Sequence, residues 1–589
     1  MSRWMLRQCS QDLSMAAKDL NVDPVVAHLL YVRGFKTVEE MSGFLNAEQT
    51  QLPPASLFLG MEKGIALISR VIKEQRRIAI FGDYDADGIM STVILYRSIK
   101  KLGGDVIYYI PQRETEGYGL NNDALQLLKD QGVEVLLACD NGISAIEQVN
   151  FARSLGIQVV IIDHHDVPFD PACPETELLP AADAIINPKQ KNCPYPFKLY
   201  CAGGLSYRFA EELYLDREEA WAELKTDFLI FAAIATVCDL VDLTSDNRML
   251  LKRALQIFNN CDNLGINALL TACHLNKQEI TTYHIGYIIG PCINASGRLE
   301  IANIAAELFI TEDEEQALLL AQKLIELNNS RKELTAQGVD TALAEISFND
   351  SYLQDRVMVI YCPDIHPSIS GIVAGKIKEK YYQPAVVLAG DKDIVKGSCR
   401  SIEGYNIFEG LLQCRDFLDS FGGHPMAAGL SIKKEYIDKL RETMNVNCAL
   451  TDEEMSPLIY IDKQLAIHDS SLSLAEAINS LQPFGKANPK PIFADKNILI
   501  SRVNLFGKNK QVLNLVCYKH NNANKINIIS FSDKERFQEV VITAYGEEAW
   551  TALLQGRGLI SADIVYNLNV NDYNGEVSLQ LRLIDFRLR

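Results

Sequence analysis

Three aspartates occupy alternate positions in one short stretch, and their spacing is the first sign of chemistry in this chain. Asp83, Asp85 and Asp87 lie in the sequence GDYDADG, directly after the apolar run IAIF. Carboxylates this close repel one another, and bound divalent cations relieve the repulsion because hard cations prefer oxygen ligands. The stretch therefore predicts a metal site. A solvated acidic turn is the alternative explanation for these residues taken alone.

A second polar group stands in the sequence VIIDHHDV, where Asp163, His164 and His165 follow an apolar run. Side chains alternate along a strand, so we expect the two histidines to point in opposite directions. Only one of the two would then easily bind a metal in a given pocket, and its neighbour could face a substrate phosphate. The alternative is a capped turn without a ligand.

Two further aspartates follow apolar segments. Asp140 comes after the run VLLAC and precedes Asn-Gly, a pair typical of turns. Asp239 comes after FLIFAAIATVC, which predicts a buried helix. A carboxylate at a helix C-terminus is unfavourable with the helix dipole, so Asp239 also suggests a bound cation.

Together these stretches supply oxygen and nitrogen ligands and no thiolate, which favours Mn²⁺ or Mg²⁺ over zinc. The number of ligands exceeds the need of one ion and fits two ions, with Asp140 predicted to bridge them. Such a pair activates water and stabilises an in-line displacement at phosphorus. The candidate ligands are Asp83, Asp85, Asp87, Asp140, His164, His165 and Asp239.

The elements that must position these residues follow a repeated strand, turn and helix pattern from about Gly60. This alternation predicts an α/β fold with a doubly wound parallel sheet, and ligands of such sheets lie beyond the carboxyl ends of the strands. A long charged helix, a second α/β unit and a series of short strands resembling an OB-fold barrel follow. The predicted divisions are 1–55 (helical segment), 56–300 (first α/β domain), 301–350 (linker helix), 351–455 (second α/β domain) and 456–589 (barrel).

Composition narrows the class of protein. The net charge of −19 argues against a protein that coats duplex nucleic acid through a general basic surface. The N-terminus lacks the apolar region of a signal peptide, and the longest apolar run is shorter than the ~20 residues of a membrane span. The 14 cysteines contain no CxxC pair, so we expect buried reduced thiols. These features predict a cytoplasmic protein with no membrane contact.

The order DYDADG, DNG, DHH and an aspartate after an apolar helix resembles the DHH phosphoesterase superfamily. Further motifs narrow the resemblance to the RecJ family of bacterial single-strand-specific exonucleases. They are IPQR with EGYG, NASGRL, FGGHPMAAG, LQPFG with NP, and LQL near the C-terminus, so the resemblance covers nearly the whole chain.

The resemblance implies a DHH domain facing a DHH-associated domain across a cleft, with an OB-fold that helps hold the strand. It implies processive 5′→3′ hydrolysis of single-stranded DNA to 5′-mononucleotides with two Mn²⁺ or Mg²⁺ ions, in DNA repair and recombination. A monomer is implied, as are single-strand-binding protein and a helicase as partners.

The family's residue roles carry over onto matching positions. The implied metal ligands are Asp83, Asp85, Asp87, Asp140, His164 and Asp239, and the implied catalytic residues are Asp85, Asp140, His165 and His424. Arg113, Arg298, Ser398 and Arg400 resemble residues that grip the 5′ phosphate or the strand. Asp83 could instead support a ligand, and Asp163 is expected to orient a histidine. Structural ion pairs for the arginines, and a structural role for His424, remain alternatives.

Two departures from the family pattern concern Phe81, where some superfamily members have a metal-binding histidine, and Cys399, where the family has glycine. In the barrel region, Lys508 and Lys510 could contact phosphates. Aromatic residues there could stack on bases, although core packing is the alternative for each of Phe506, Tyr518, Phe531, Tyr566 and Tyr573. Two other functions stay open: a DHH phosphodiesterase for short oligonucleotides or cyclic dinucleotides, and an inactive scaffold in a replication complex.

Overall fold

The computed structural model describes residues 2–113, 115–170, 172–507, 510–519, 522–573 and 575–589. The chain forms two compact units, one of residues 1–50 with 457–589 and the other of residues 51–456. Lys508, which entered the sequence predictions, lies outside the described residues, and so does the side chain of Tyr573. Among the helices described, none has the length and apolar character needed to cross a bilayer.

The N-terminal segment contains one short strand and three helices. The side chain of Asp23 caps α2 by accepting from the Val25 amide, and Thr37 with Glu40 forms a capping box on α3. The bounds are β1 Arg3–Leu6, α1 Ser14–Leu20, α2 Pro24–Val32 and α3 Val38–Leu45.

A five-stranded, all-parallel sheet forms the centre of the next region, in the order β3-β2-β4-β5-β8. Helix α5 is buried along almost its full length and packs against α8 and α9 on one face of this sheet. The strands of the sheet are β2 Ile78–Phe81, β3 Val106–Tyr109, β4 Val135–Cys139, β5 Gln158–Ile162 and β8 Ala184–Ile186, and a separate hairpin is formed by β6 Phe169–Asp170 and β7 Cys173–Glu177. The first helices are α4 Met61–Lys73, α5 Ala86–Lys101, α6 Asn122–Asp130, α7 Ile146–Ser154, α8 Ala202–Leu213 and α9 Glu218–Cys238.

Helices complete this domain and connect it to the next one. One helical run passes from α12 through a π-helical turn at Ile285–Ile289 into α13 without interruption. The long helix α15 spans 35 residues and begins at Asp313, which caps it by accepting from the Gln316 amide. The bounds are α10 Ser245–Ile257, α11 Leu264–Ala272, α12 Thr282–His284, α13 Gly290–Leu299, α14 Asn303–Ile310 and α15 Glu314–Phe348.

The second α/β region contains a five-stranded mixed sheet in the order β12-β13-β11-β10-β9. Only the pair β9 and β10 is parallel among these described strands, and β12 is an edge strand. The bounds are β9 Met358–Cys362, α16 Ser370–Tyr381, β10 Ala385–Ala389, β11 Ile394–Arg400, α17 Ile407–Leu412, β12 Leu418–His424, β13 Ala427–Lys433 and α18 Ile437–Val446.

The C-terminal strands form a six-stranded sheet, and the pairing of β16 with β19 closes it into a barrel. Side chains of α2 and α3, among them Val26, Leu29 and Phe44, pack into the barrel's hydrophobic core. Strand β1 also pairs in parallel with β14. The bounds are β14 Leu458–Ile461, β15 Lys463–Gln464, α19 Leu472–Asn479, β16 Phe493–Phe506, β17 Val512–Lys519, β18 Asn522–Ser530, α20 Lys534–Tyr545, α21 Glu547–Leu554, β19 Ile560–Tyr573 and β20 Glu576–Leu588.

Residues 1–55 and 456–589 are separate divisions in the prediction from the sequence, whereas the contacts group residues 1–50 with residues 457–589. The reason is visible in the apolar faces of α2 and α3, which are buried only by joining the barrel core. The domain boundaries proposed from the sequence stay a prediction.

We expect Asp585 to stabilise this unit through its bonds to the N-terminal segment and to helix α20. Its carboxylate is 2% exposed, accepts from Trp4 Nε1 at 2.7 Å and from Arg536 Nη2 at 2.5 Å, and also accepts from Ser2. Burial opposes its charge, but these donors outweigh burial and lower the pKa of Asp585. Asp585→Asn should therefore lower the free energy of unfolding by about 1.5–3 kcal/mol at pH 7.

A lowered carboxylate pKa stabilises the fold above the ordinary value of 3.8, and this contribution is lost as the pH falls through the folded-state pKa. The difference between wild type and variant should therefore shrink below about pH 4. Urea unfolding followed by tryptophan fluorescence measures it, since Trp4 and Trp550 both lie in this unit. The exposed Glu576→Gln is the matched control, and equal stability of Asp585→Asn and wild type would contradict the prediction.

Candidate active site

Asp85 and Asp87 are positioned by helix termini. Asp85 is the N-cap of α5, and its Oδ1 accepts from the amides of Asp87 (2.9 Å) and Gly88 (3.1 Å). Asp87 accepts from the amides of Ala202 (2.8 Å) and Gly203 (2.7 Å) at the start of α8. These helix N-termini offset part of the repulsion between the two carboxylates. Burial and the charge of Asp85 still raise the pKa of Asp87 to about 7.

Asp140 follows β4 with a positive φ of 62°, in the left-handed region that aspartate and asparagine tolerate better than most residues. Asn141 supports this turn by donating its side-chain amide to the carbonyls of Phe81, Gly82 and Cys139. The Asp140 carboxylate is 3% exposed, and burial together with the charge of Asp87 raises its pKa well above the ordinary value. Several buried carboxylates at this point would all be negatively charged, which favours the binding of a cation.

Asp163 organises the DHH segment. Its carboxylate accepts from the amides of Ile143 (2.9 Å), His164 (2.8 Å) and His165 (3.2 Å), and it contacts His165 Nδ1 at 2.7 Å. Burial would raise the pKa of Asp163, but the bond to His165 outweighs burial and lowers the pKa to about 2. Burial alone would lower the pKa of His165, but the bond to Asp163 outweighs burial and raises the pKa of His165 to about 9. His165 is therefore a cation held in a fixed orientation at neutral pH.

The expectation that the two histidines point in opposite directions is wrong. Their ring centroids lie 4.5 Å apart, on the same side of the chain. Strand β5 ends at Ile162, and the bonds of the Asp163 carboxylate to the next two amides turn the chain, so strand alternation does not extend to His164 and His165.

His164 lies at the centre of the carboxylates. Its Nε2 is 3.2 Å from Asp140 and 3.7 Å from Asp87, and its Nδ1 is 3.6 Å from Asp239. Burial and the charge of His165 lower the pKa of His164 to about 3, so the imidazole is neutral, as a metal ligand must be. Asp239 caps the C-terminal end of α9, as the sequence predicts.

Three groups of side chains have ligand atoms close enough to hold a metal ion, within 4.8 Å of one another. Asp140 belongs to two of the groups, as expected of a carboxylate shared by two ions, and His164 also belongs to two. The groups are Asp83 with Asp85 and Asp140, Asp87 with His164 and Asp239, and Asp140 with His164 and His165.

The unpaired atoms of the cluster fit a metal. Asp83 Oδ1 and His164 Nε2 are buried without a hydrogen-bond partner among the described residues, because the close approach of Nε2 to Asp140 lacks hydrogen-bond geometry. Burial and the charge of Asp85 also raise the pKa of Asp83 well above its ordinary value. Buried unpaired polar atoms are costly, and hard cations supply the missing partner.

The three predicted arginines gather beside this cluster. Arg298 on α13 donates to the Ser368 carbonyl at 3.1 Å, and Arg113 lies over the ring of Tyr84, 5.3 Å from its centroid. Arg400 donates to the Cys399 carbonyl at 2.8 Å. Within the described residues, none of the three has a carboxylate within ion-pair distance, so the structural ion pairs considered from the sequence are absent there.

A fourth arginine joins the group, and sequence reasoning missed it. Arg331 on α15 bonds to Asn328 Oδ1 at 2.9 and 3.1 Å. Burial and, after it, the charges of Arg113, Arg331 and Arg400 together lower the pKa of Arg298 to about 10. The linker helix carries no motif around Arg331, so only the packing of α15 against α13 and α16 identifies it. Four uncompensated guanidinium groups make a site for an anion.

Two residues of the second domain complete the candidate set. The hydroxyl of Ser398 accepts from Ser370 Oγ at 2.8 Å. Arg400 also lies close to Gly371, where a Cβ would stand 2.9 Å from Nη2. His424 ends the edge strand β12 and is exposed. The pKa of Asp166 is lowered mainly by its bond from Lys189, and His424 also contributes to the lowering. Asp166 directly follows the DHH segment, so His424 lies near that segment.

The departures noted in the sequence leave the cluster intact. Phe81 is fully buried in the core on the other side of the sheet, next to Tyr109, and supplies no ligand. Cys399 is buried between Val386 and Ala428 in the sheet. In the barrel, Tyr566 is a core residue, whereas Phe506 and Phe531 are each about half exposed, at 52% and 50%.

Comparison with known proteins agrees with this geometry. Family models match the chain in three places, described as the DHH family, N-terminal domain (residues 77–236), the DHHA1 domain (354–449) and the RecJ OB domain (461–585). The single-stranded-DNA-specific exonuclease RecJ of Bacillus subtilis (strain 168) is 33% identical over 588 residues, which span 99% of this chain and 70% of that protein. The chain belongs to the RecJ family. The protein of the same description from Haemophilus influenzae is 32% identical, with 96% of each chain covered.

Solved structures confirm the α/β fold with its second domain and barrel. The crystal structure of RecJ in complex with Mn²⁺ from Thermus thermophilus has a TM-score of 0.80 at 22% identity, covering 99% of this chain and 79% of that one. The crystal structure of exonuclease RecJ bound to manganese has a TM-score of 0.58 at 26% identity, covering 69% of this chain and 97% of that one.

We expect Asp140→Asn to stabilise the metal-free protein and to weaken metal binding. A carboxyl pKa raised by folding means that the charged form destabilises the fold, and the loss of stability grows as the pH rises above the ordinary value of 3.8. Asparagine keeps the positive φ and removes the charge. At pH 8 without metal, the variant should therefore melt at a higher temperature than wild type.

With saturating Mn²⁺, wild type should instead melt at a higher temperature than Asp140→Asn. An ion at 100 times its dissociation constant adds about 2.7 kcal/mol to the folded state, and the variant should gain less than half of this. Calorimetry with and without Mn²⁺ measures both effects, with the exposed Asp166→Asn as control. Equal Mn²⁺ stabilisation of Asp140→Asn and wild type would exclude Asp140 from the metal site.

Proposed function

We propose that this protein is a metal-dependent exonuclease that degrades single-stranded DNA from the 5′ end to 5′-mononucleotides, in DNA repair and recombination. The observation that carries the proposal is the buried cluster around His164, with its unpaired ligand atoms, beside arginines that have no carboxylate partner among the described residues. The family relationship supports the same reaction, since the full-length relatives are described as single-stranded-DNA-specific exonucleases.

The metal site we propose holds two Mn²⁺ or Mg²⁺ ions. The ligands would be Asp83, Asp85, Asp87, Asp140, His164 and Asp239, and Asp140, which belongs to two of the three groups, would be shared by the ions. When bound, the two ions polarise the scissile phosphodiester and activate the attacking water. Every residue of this set is present, which argues against an inactive scaffold.

The residues around the metal site bind and orient the strand. His165, held by Asp163, would donate to a phosphate oxygen at the scissile position. His424 approaches the same segment from the second domain and contacts the neighbouring phosphate. Tyr118 donates its hydroxyl to the Asp140 carbonyl at 2.8 Å and lies beside His165, which limits the positions its ring can take.

The arginine group sets the polarity. Arg113, Arg298 and Arg400 with Ser398 bind the terminal 5′ phosphate, and Arg331 adds a fourth charge. A terminal phosphate carries more charge than an internal diester, so a cluster of cations selects the strand end. The scissile bond would then lie one nucleotide from the bound 5′ phosphate, beside the residues that would hold the metal ions, and each cycle would release one 5′-mononucleotide.

The cell compartment and partners follow from the same proposal. All 14 cysteines are free, which suits the reducing cytoplasm. The substrate is single-stranded DNA, and the family resemblance adds single-strand-binding protein and a helicase. We propose that the chain acts as a monomer, because both metal groups lie within one chain.

Digestion of end-labelled single strands tests the reaction. With Mn²⁺, a 5′-labelled strand should release labelled mononucleotide at once, whereas a 3′-labelled strand should shorten progressively. Asp140→Asn should lower the rate by at least about 10³-fold because it removes a shared ligand. Loss of the 3′ label first would overturn the polarity, and preference for two-nucleotide substrates would favour the short-oligonucleotide phosphodiesterase. Equal activity of Asp140→Asn would remove the metal mechanism.

Arg298→Gln and Arg400→Gln test the terminal phosphate. Wild type should prefer 5′-phosphorylated strands over 5′-hydroxyl strands, and each variant should lose about 10–100-fold in kcat/KM on the phosphorylated strand only. Arg415→Gln, at an exposed position of the second domain, is the control and should behave as wild type. Equal losses on both strands would assign these arginines to the strand backbone.

A further inference from the structure

Helix α13 contacts the stretch of residues 82–87, called the metal loop below because it carries three of the proposed metal ligands. Asn294 Oδ1 accepts a hydrogen bond from the Ala86 amide at 2.8 Å. Ala86 is the first residue of α5 and directly follows Asp85, the N-cap of that helix. The first amides of a helix have no partner within the helix, so the Asn294 side chain satisfies one of them. Asn294 therefore holds the backbone next to a proposed metal ligand.

A glycine further along α13 brings the helix against the same loop. A Cβ at Gly297 would stand 2.3 Å from the carbonyl oxygen of Tyr84, closer than side chains approach backbone atoms in proteins. This approach is possible because glycine has no Cβ. Asn294 and Gly297 are three residues apart and lie on one face of α13. Their two contacts hold Tyr84 and Ala86, the residues on either side of Asp85.

The same face of α13 carries an arginine that we assign to the terminal phosphate. Arg298 follows Asn294 by four residues and donates to the Ser368 carbonyl at 3.1 Å. Burial is the main cause of the lowered pKa of Arg298, and the charge of Asp85 opposes the lowering, so the two groups lie near each other. Arg113 also lies over the ring of Tyr84. Two of the phosphate-binding arginines are thus linked to the metal loop, Arg298 through its helix and Arg113 directly.

We propose that Asn294 and Gly297 are positioning residues that couple binding of the 5′ phosphate to binding of the metal ions. The inference rests on the proposed exonuclease function. A phosphate held by Arg298 restricts the motion of α13, and α13 restricts the metal loop through the two contacts. The second ligand then loses less conformational freedom when it binds, so each ligand tightens the binding of the other. The metal ligands are best ordered when the end of a strand is in place.

Binding of Mn²⁺ with and without a 5′ phosphate tests the coupling. Calorimetric titration of the full chain gives the Mn²⁺ dissociation constant alone, with saturating thymidine 5′-monophosphate, and with thymidine, which lacks the phosphate. The monophosphate contains no phosphodiester and is not cut. For wild type it should tighten Mn²⁺ binding about tenfold, and thymidine should have no effect. Saturating Mn²⁺ should tighten binding of the monophosphate by the same factor, because coupling between two ligands is reciprocal.

Variants of Asn294 separate this coupling from direct contact between the phosphate and the ions. Asn294→Ala removes the acceptor of the Ala86 amide and keeps every proposed metal ligand and arginine. Its Mn²⁺ dissociation constant should rise about tenfold, as for other groups that support metal ligands, and the coupling should fall to about twofold or less. Asn294→Asp keeps an accepting oxygen and should restore the coupling. Asn150→Ala, at an exposed position of α7, is the matched control and should behave as wild type.

Gly297→Ala tests the second contact independently and serves if Asn294→Ala is unstable. The added methyl group pushes α13 away from the Tyr84 carbonyl, so the coupling should again fall to about twofold or less. Gly375→Ala on α16 is the control and should keep the full coupling, since a Cβ there meets no atom within 4 Å.

Two results would overturn the inference. The first is a wild type without coupling, and the second is full coupling in both Asn294→Ala and Gly297→Ala, which would assign the effect to direct contact of the phosphate with the ions. A wild type that binds neither Mn²⁺ nor the monophosphate would instead overturn the proposed function itself.

Discussion

The burial of like charges around one neutral imidazole is the constraint on which the site depends. Asp83, Asp87 and Asp140 are each at most 3% exposed, and all three have raised pKa values because burial and neighbouring carboxylates oppose their charge. The fold offsets part of this cost with amides at the starts of α5 and α8. The remaining cost is what makes the cluster bind cations, since an ion stabilises the folded state that holds its ligands.

Helices and strands that are specified by a local sequence pattern could be predicted from the sequence. Apolar periodicity indicates helices over residues 38–45 and 146–155 and a strand over 158–162, and α3, α7 and β5 lie within one residue of these bounds. The aspartates after β4 and β5 follow from the geometry of parallel sheets. The DHH phosphoesterase resemblance supplied the ligand set, and the structure gathers all of those residues in three overlapping groups. Roles of individual residues remain proposals.

Features that depend on packing between distant segments were not predictable. The orientation of His164 and His165 is decided by backbone bonds to Asp163 rather than by strand alternation. Arg331 enters the arginine group only because α15 packs against α13 and α16, and its helix has no motif. The association of α2 and α3 with the barrel joins segments separated by more than four hundred residues, and no local pattern encodes such a pairing.

That last association has a consequence for biosynthesis. The apolar faces of α2 and α3 leave the ribosome early, but their partners in the barrel follow only after residues 51–456 have been made. At ~5–20 residues per second this interval lasts roughly 20–80 s. During that time the nascent chain presents Val26, Leu29 and Phe44 without the apolar contacts that bury them in the finished fold.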